Sequence, residues 1–431
     1  MIINIEEVEY FERIQKPCLA ASFSTFADYF TTWIIRVCHT KRLSVIDTKG
    51  LKNIDFYTYL DQRVNLMNNP FGGATMRVGI VFGTRPEIIK MAPVYLKAKE
   101  LGIDADFICT GQHREMVDMM KEVFNIEVDY DMNIMTHNQT LNNVTYKVVM
   151  KFEKLASERK YDWILVQGDT TTAMAAAIAA FNKSIKVGHV EAGLRSGTLY
   201  DPFPEEMNRR VIDQVSEKLF APTKFAMNTL LKENFPQSRI LVTGNTVIDA
   251  QMYVINKFDL ESVRRKFINH TNYFVVTLHR RENIGEKMRN VLAAIKQFAQ
   301  EEKIDFVFPV HKNPKVREIV YSELNDCKYA KLIEPVNYIV MTALLKDALF
   351  LASDSGGLQE EAPTFKKFVV VCRETTERPE VIESGFGVLA GTTTQKVLES
   401  LKKALEFKPE GRENPFGDGK ASERILMSIL R

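Results

Sequence analysis

The chain is predicted to be an α/β protein: two successive doubly wound parallel-sheet units, preceded by an N-terminal appendage. Three observations carry this. From Met76 onward, short apolar runs alternate with longer helical stretches, the pattern of parallel sheets covered on both faces. Glycines and charged residues gather just after those runs, where open α/β sheets bind ligands. A length of 431 residues allows two or three domains.

Residues 1–75 lack this alternation, are rich in aromatics and end in Asn68-Asn69-Pro70-Phe71-Gly72-Gly73; they are expected to be an appendage that the function does not need. Val78–Phe82 is the first strand. It breaks at Gly83-Thr84, and a helix starts at Pro86, a residue tolerated in a first turn. A second strand covers 105–110, followed by Gly111-Gln112-His113 and a helix from Glu115. The amphipathic stretch 140–159 is a helix, Trp163–Gln167 a strand ending at Gly168-Asp169, and the alanine-rich 172–181 a helix. Ile185–Val190 is a strand ending at Glu191. A second cycle follows a boundary near residue 250, giving units 76–249 and 250–418. Its strands are Phe274–Leu278 (ending at His279), Phe306–Val310, Ala348–Ala352 (ending at Asp354-Ser355-Gly356-Gly357) and Phe368–Cys372, with a helix at 286–301.

Composition narrows the function. Hydrophobic and charged fractions of 45% and 26% are ordinary for a globular protein, and a net charge of +2 offers no electrostatic case for nucleic acid or a membrane. Five scattered cysteines without a C-x-x-C suit a reducing cytosol and argue against a zinc site. The most apolar early segment, 18–38, contains Asp28 and Arg36 and is a poor membrane span, so a cytoplasmic location is expected.

Arg85 and Lys90 follow the first strand beside a helix start, a setting suited to an anion such as phosphate. Neither G-x-G-x-x-G nor G-x-x-x-x-G-K-[ST] is present, so neither a dinucleotide nor a P-loop nucleotide is expected. Asp169 is either a helix cap or a site carboxylate. Glu191, ending a buried strand, needs a partner or a task. On composition alone, Glu205 and Glu206 read as helix-dipole residues paired i,i+4 with Arg209 and Arg210. His279-Arg280-Arg281-Glu282-Asn283 is a dense charge cluster leaving a strand. Ser355-Gly356-Gly357 lets backbone N–H groups approach an anion, and Glu361, one turn on, is placed to accept from ribose hydroxyls. Thr376-Glu377-Arg378-Pro379 repeats the arginine-before-proline arrangement of Thr84-Arg85-Pro86. A nucleoside diphosphate linked to a small group undergoing acid–base chemistry fits between two such lobes.

The runs Phe-Gly-Thr-Arg-Pro-Glu, Gly-Gln-His-Arg-Glu-Met, Gly-Asp-Thr-Thr-Thr, His-Val-Glu-Ala-Gly-Leu-Arg, Pro-Phe-Pro-Glu-Glu-Met-Asn-Arg, His-Arg-Arg-Glu-Asn, Asp-Ser-Gly-Gly-Leu-Gln-Glu-Glu-Ala-Pro and Thr-Glu-Arg-Pro-Glu occur in order. Over Met76–Arg431 the chain thereby resembles the non-hydrolysing UDP-N-acetylglucosamine 2-epimerases. The resemblance implies two Rossmann-like domains of the B-type glycosyltransferase arrangement, with a final helix near 419–431 packing back on the first. It implies interconversion of UDP-GlcNAc and UDP-ManNAc, by elimination of UDP to a 2-acetamidoglucal and re-addition, with no cofactor or metal and in a homodimer. By matched motifs, Asp169, Glu191 and Glu205 take acid–base roles, overturning the structural reading of Glu205, and His279 lies near the diphosphate. Arg85, Lys90, Met341, Ser355, Gly356, Gly357, Glu361 and Arg378 hold the nucleotide. Gln112, His113, Arg114 and Gln139 match positions of a regulatory second UDP-GlcNAc. The chain departs from the family in carrying Met341 where relatives often have an aromatic residue, and Lys367-Phe368 where Lys-Pro is usual. Competing readings are an epimerase for another UDP-2-acetamido sugar such as a 2,3-diacetamido uronate, a hydrolysing variant, a glycosyltransferase and a catalytically silent UDP-sugar binder.

Overall fold

The computed structural model describes residues 76–111, 121–136 and 138–430; the segment 1–75 and the start of the helix expected from Glu115 lie outside them, and residues 121–124 are helical. Two wholly parallel sheets dominate. The first contains β1 (Arg77–Phe82), β2 (Asp104–Cys109), β3 (Tyr130–Asp131), β4 (Trp163–Gln167), β5 (Lys186–Val190), β6 (Lys218–Ala221) and β7 (Ile240–Val242), in the order β3-β2-β1-β4-β5-β6-β7. The second contains β8 (Tyr273–Thr277), β9 (Asp305–Pro309), β10 (Ala330–Ile333), β11 (Phe350–Ser353), β12 (Phe368–Val371) and β13 (Gly387–Leu389), in the order β10-β9-β8-β11-β12-β13. The strand order of each sheet reverses once, between β1 and β4 and between β8 and β11. Those reversals are the switch points where doubly wound sheets open a crevice.

Apolar periodicity explains the layering. Along β8, Tyr273 and Val275 join one core while Phe274 and Val276 join another on the opposite face. The core containing Tyr273 is continuous with Val78, Ile80 and Phe82 on one face of the first sheet, so a single apolar cluster underlies both. Helix α1 (Arg85–Glu100) covers that face of the first sheet; α2 (Leu141–Glu158), α3 (Thr171–Asn182) and α4 (Glu205–Val215) cover the other. The small side chains of α3 let it sit buried between α2 and α4.

The chain crosses between the sheets twice. The outgoing path runs from Thr243 into α6 (Thr246–Lys257), after α5 (Lys224–Lys232); the return path ends in a C-terminal helix, Ala421–Ile429, which packs on α1. Asp249 on α6 caps that terminal helix, accepting from Ser422 N at 2.8 Å and Ala421 N at 3.2 Å. The two crossings touch: Asn245 N donates to Phe416 O at 2.7 Å. Gly244 (φ +87°) and Gly417 (φ +116°) lie against each other there, and a β-carbon on Gly417 would stand 3.1 Å from the Gly244 α-carbon. Among the described residues, no helix is long and apolar enough to cross a membrane.

Candidate active site

All four strands flanking the two switch points run into loops that carry polar residues, and these converge on one cleft with a cavity volume of about 630 Å³. The loop after β1 turns sharply because Glu87, buried in the first turn of α1, accepts from Gly83 N and Thr84 N at 2.8 and 2.6 Å. Its other oxygen accepts from Thr170 Oγ1 at 2.6 Å, which ties this loop to the one after β4. Thr170, not Asp169, caps α3, accepting from Ala173 N at 3.0 Å. The carboxylate of Asp169 is thereby released from backbone duty and faces the cleft, held by Arg209 Nη2 at 2.6 Å. Asn208 donates to the Asp169 carbonyl at 2.9 Å.

Glu191 adopts φ +71°, a left-handed conformation unfavourable to a residue with a β-carbon. Its side chain is buried and takes Gln167 Nε2 at 2.7 Å together with the ammonium of Lys90. Lys90 also lies 3.1 Å from Glu360, and Arg378 joins Glu360 and stands 3.5 Å from Glu191. Two acids and two bases, one of each from either sheet, form a neutral buried tetrad. Burial lifts the Glu191 carboxyl above the usual range against the pull of Lys90. Burial also opposes the Glu360 carboxylate, but Arg378 and Lys90 more than offset this and hold it below that range.

The second sheet supplies the other wall. Asp354, fully buried, accepts from the backbone N–H groups of His279 and Arg280 at 3.0 Å, and from Asn283 Nδ2 at 3.1 Å. This sets His279, whose ring stacks on His311 at 5.7 Å between centroids. Burial lowers the His279 pKa, favouring the neutral imidazole, with Asp354 opposing. Ser355, Gly356 and Gly357 follow β11, with the Arg280 guanidinium 3.5 Å from where a Gly356 β-carbon would lie. Glu361 is buried, one of its oxygens lacks a hydrogen-bond partner, and burial followed by repulsion from Glu360 pushes it up to about 8. Arg85 faces Glu361 and makes no hydrogen bond to another described residue.

The expected residues divide accordingly. Arg85, Lys90, Asp169, Glu191, His279, Met341, Ser355, Gly356, Gly357, Glu361 and Arg378 share the cleft. The ammonium of Lys90 is committed to carboxylates, leaving Arg85, and Arg280 with its loose 3.8 Å approach to Glu377, as the cleft cations with capacity for an anion. Glu205 does not line the cavity. The composition-only pairing holds for Glu206, which receives Arg210 Nε at 2.9 Å, and not for Glu205, whose Oε2 is buried without a partner. Gln139 lies outside the cleft, its side-chain oxygen accepting from Thr136 and Lys147. Gln112, His113 and Arg114 lie outside the described residues. Gln167, Arg209, Asp354 and Glu360 were given no site role from the sequence, although the last three lie inside motifs singled out there and Gln167 directly precedes another. Among the described residues, no group of three or more His, Cys, Asp or Glu side chains is placed to hold a metal ion.

Comparison with known proteins adds an independent line. The family model for UDP-N-acetylglucosamine 2-epimerase matches residues 96–430. A UDP-N-acetylglucosamine 2-epimerase of Neisseria meningitidis is 42% identical over 370 residues, covering 83% of this chain and 100% of that protein. The Escherichia coli K12 enzyme of the same name is 42% identical over 370 residues, covering 82% and 98%. The crystal structure of the Neisseria enzyme bound to UDP-GlcNAc superposes with a TM-score of 0.76 at 41% identity, covering 82% of this chain and 100% of that one. A Methanocaldococcus jannaschii epimerase in complex with UDP-GlcNAc and UDP does so with a TM-score of 0.71 at 36% identity, covering 82% and 99%. The Streptomyces nogalater glycosyltransferase SnogD, at 13% identity and a TM-score of 0.51, shares the fold alone.

Proposed function

The chain belongs to the UDP-N-acetylglucosamine 2-epimerase family, and from that premise we propose that it interconverts UDP-GlcNAc and UDP-ManNAc. The observation that carries the reading is the meeting of Asp169 and Glu191 from one sheet with the Ser355-Gly356-Gly357 turn and Arg280 from the other across one cavity. The turn and the arginines suit a diphosphate; the carboxylates suit proton traffic at the adjoining sugar.

In this mechanism the C2–H and C1–O bonds break, the C2 proton passes to a carboxylate, and the electron pair forms the C1–C2 double bond of a 2-acetamidoglucal. UDP leaves with the bonding pair of the C1–O bond. Re-addition returns the phosphate oxygen to C1 and a proton to the opposite face of C2. No oxidant enters the balance. Asp169 and Glu191 serve the two faces, and Glu205 completes the acid–base set. Positioned groups of this kind contribute about 10²–10⁴-fold each. A neutral His279 is able to donate one hydrogen bond to the departing diphosphate. Glu361 and Met341 border the nucleoside end, whereas Arg378 and Lys90 act at the sugar by holding Glu191 in place. The reading brings with it a homodimer, a cytoplasmic location, and a regulatory site at Gln112, His113, Arg114 and Gln139. It also places the domain limits at 76–249 and 250–418, with residues 1–75 dispensable.

Incubation with UDP-GlcNAc in D₂O, followed by proton NMR, tests it. Deuterium at C2 accompanied by UDP-ManNAc is expected. Retention of the C2 proton, or release of free sugar and UDP as the only products, overturns the reading.

A further inference from the structure

We infer that Thr223 and Glu380 form a clasp between the two sheets that positions Arg378 against Glu191, making both of them positioning residues although neither lines the cleft. Thr223 follows β6 and caps α5, its Oγ1 accepting from Ala226 N at 3.1 Å. The same hydroxyl has one proton to give, and gives it to Glu380 Oε1 at 2.6 Å. Both residues are buried, at 5% and 8% exposure, and Glu380 Oε2 has no hydrogen-bond partner. A buried carboxylate with a single hydrogen bond depends heavily on it.

The segment Thr376–Glu380 is anchored at both ends. Thr376 Oγ1 donates to Gln359 Oε1 at 2.7 Å, within the second sheet's own unit, and accepts from Arg378 N at 3.1 Å. Glu380 anchors the other end to the first sheet's unit through Thr223. Between them Arg378 reaches Glu191, while Arg280, Arg378, Arg373 and, from across the cleft, Arg209 hold Glu377 below the usual carboxylate range although burial opposes its charge. Thr223–Glu380, Glu191–Arg378 and Lys90–Glu360 therefore cross the cleft together, and opening it exposes all three to water at once. Without the clasp Arg378 keeps Glu360, its partner on the same side, and loses its register on Glu191.

The inference rests on the epimerase reading for its kinetic test only. Thr223→Val keeps the shape and removes both the donor and the cap of α5; Thr223→Ser keeps both, and Glu380→Met breaks the clasp with the cap intact. For Thr223→Val, kcat with UDP-GlcNAc is expected to fall about 10-fold with KM changed less than 3-fold, whereas Thr223→Ser restores kcat to within 3-fold of the unaltered chain. Adding Glu380→Met to Thr223→Val should cause no further loss, because either change breaks the same bond. Hydrogen exchange without ligand reads the clasp independently of turnover: amides of residues 377–384 should be protected in the unaltered chain and lose protection in Glu380→Met, which keeps the side-chain length and has no oxygen to accept from Thr223. A kcat within 2-fold for Thr223→Val, failure of Thr223→Ser to restore it, additive losses, or unchanged exchange in Glu380→Met overturns the inference. Should the unaltered chain not turn over UDP-GlcNAc, the epimerase reading falls while the exchange result still decides the clasp.

Discussion

Replacing Lys90 with methionine asks whether the four buried cleft charges behave as one unit. The change keeps most of the side-chain volume and removes the ammonium shared by Glu191 and Glu360. Arg378 is then left with two buried carboxylates. An unpaired buried charge costs about 3–5 kcal/mol, but a carboxylate has a less costly alternative in taking up a proton. Glu191 is the one to do so, since burial already lifts it while Glu360 retains Arg378. Holding protonated a carboxyl whose ordinary value is 4.5 costs about 1.4 kcal/mol for each pH unit above that value. The loss is thus capped at roughly 3.5 kcal/mol at pH 7 and about 1.4 kcal/mol at pH 5.5. In the variant the folded-state pKa of Glu191 exceeds its unfolded value, so stability present at low pH is lost as pH rises towards that folded value. Urea unfolding at both pH values measures this as the difference between the unaltered chain and the variant. Because Glu191 already lies above its usual range in the unaltered chain, the difference should widen with rising pH, by less than about 2 kcal/mol from pH 5.5 to 7. A difference below about 1 kcal/mol at pH 7, or one that ignores pH, refutes the idea that the tetrad is coupled.

Glu361→Gln should abolish a stability slope of about −1.4 kcal/mol per pH unit that the buried carboxyl, pushed up to about 8, imposes as pH rises from about 4.5; thermal melts across pH 5–8 in both proteins will show it. Glu205→Gln gives a buried oxygen without a partner nothing to lose, so Tm should stay level or rise while C2 exchange falls at least 100-fold; a Tm loss with exchange retained would return Glu205 to a structural role. Asp169→Asn should stop exchange while leaving UDP affinity, read by calorimetry, within about 3-fold.

Much of the fold was legible because the central strands are buried on both faces and write themselves as continuous apolar runs. β1, β4, β5, β8, β9 and β12 fall within a residue of their expected limits, and β11 begins two residues later than expected, at Phe350. The strands passed over are mostly short or at the edges: β3 has two residues, and β7 and β10 are only half-buried throughout, so no apolar run marks them. The site divides in the same way. Strand-end residues such as Glu191 announce themselves by position. Partners such as Arg209, forty residues from Asp169, do not, since local spacing pairs Arg209 with Glu205 instead. The cap at Thr170 was one residue from the expected alternative, and that single step decides whether Asp169 is scaffold or reagent.

The paired glycines where the two crossings touch have a mechanical consequence. A body fastened by one thread can twist and slide; one fastened by two adjacent threads has little freedom left but to swing about the line through them. Both fastenings here bend at residues without side chains, packed backbone to backbone. Parting of the two sheets to admit a nucleotide sugar therefore turns on this one pair of bends.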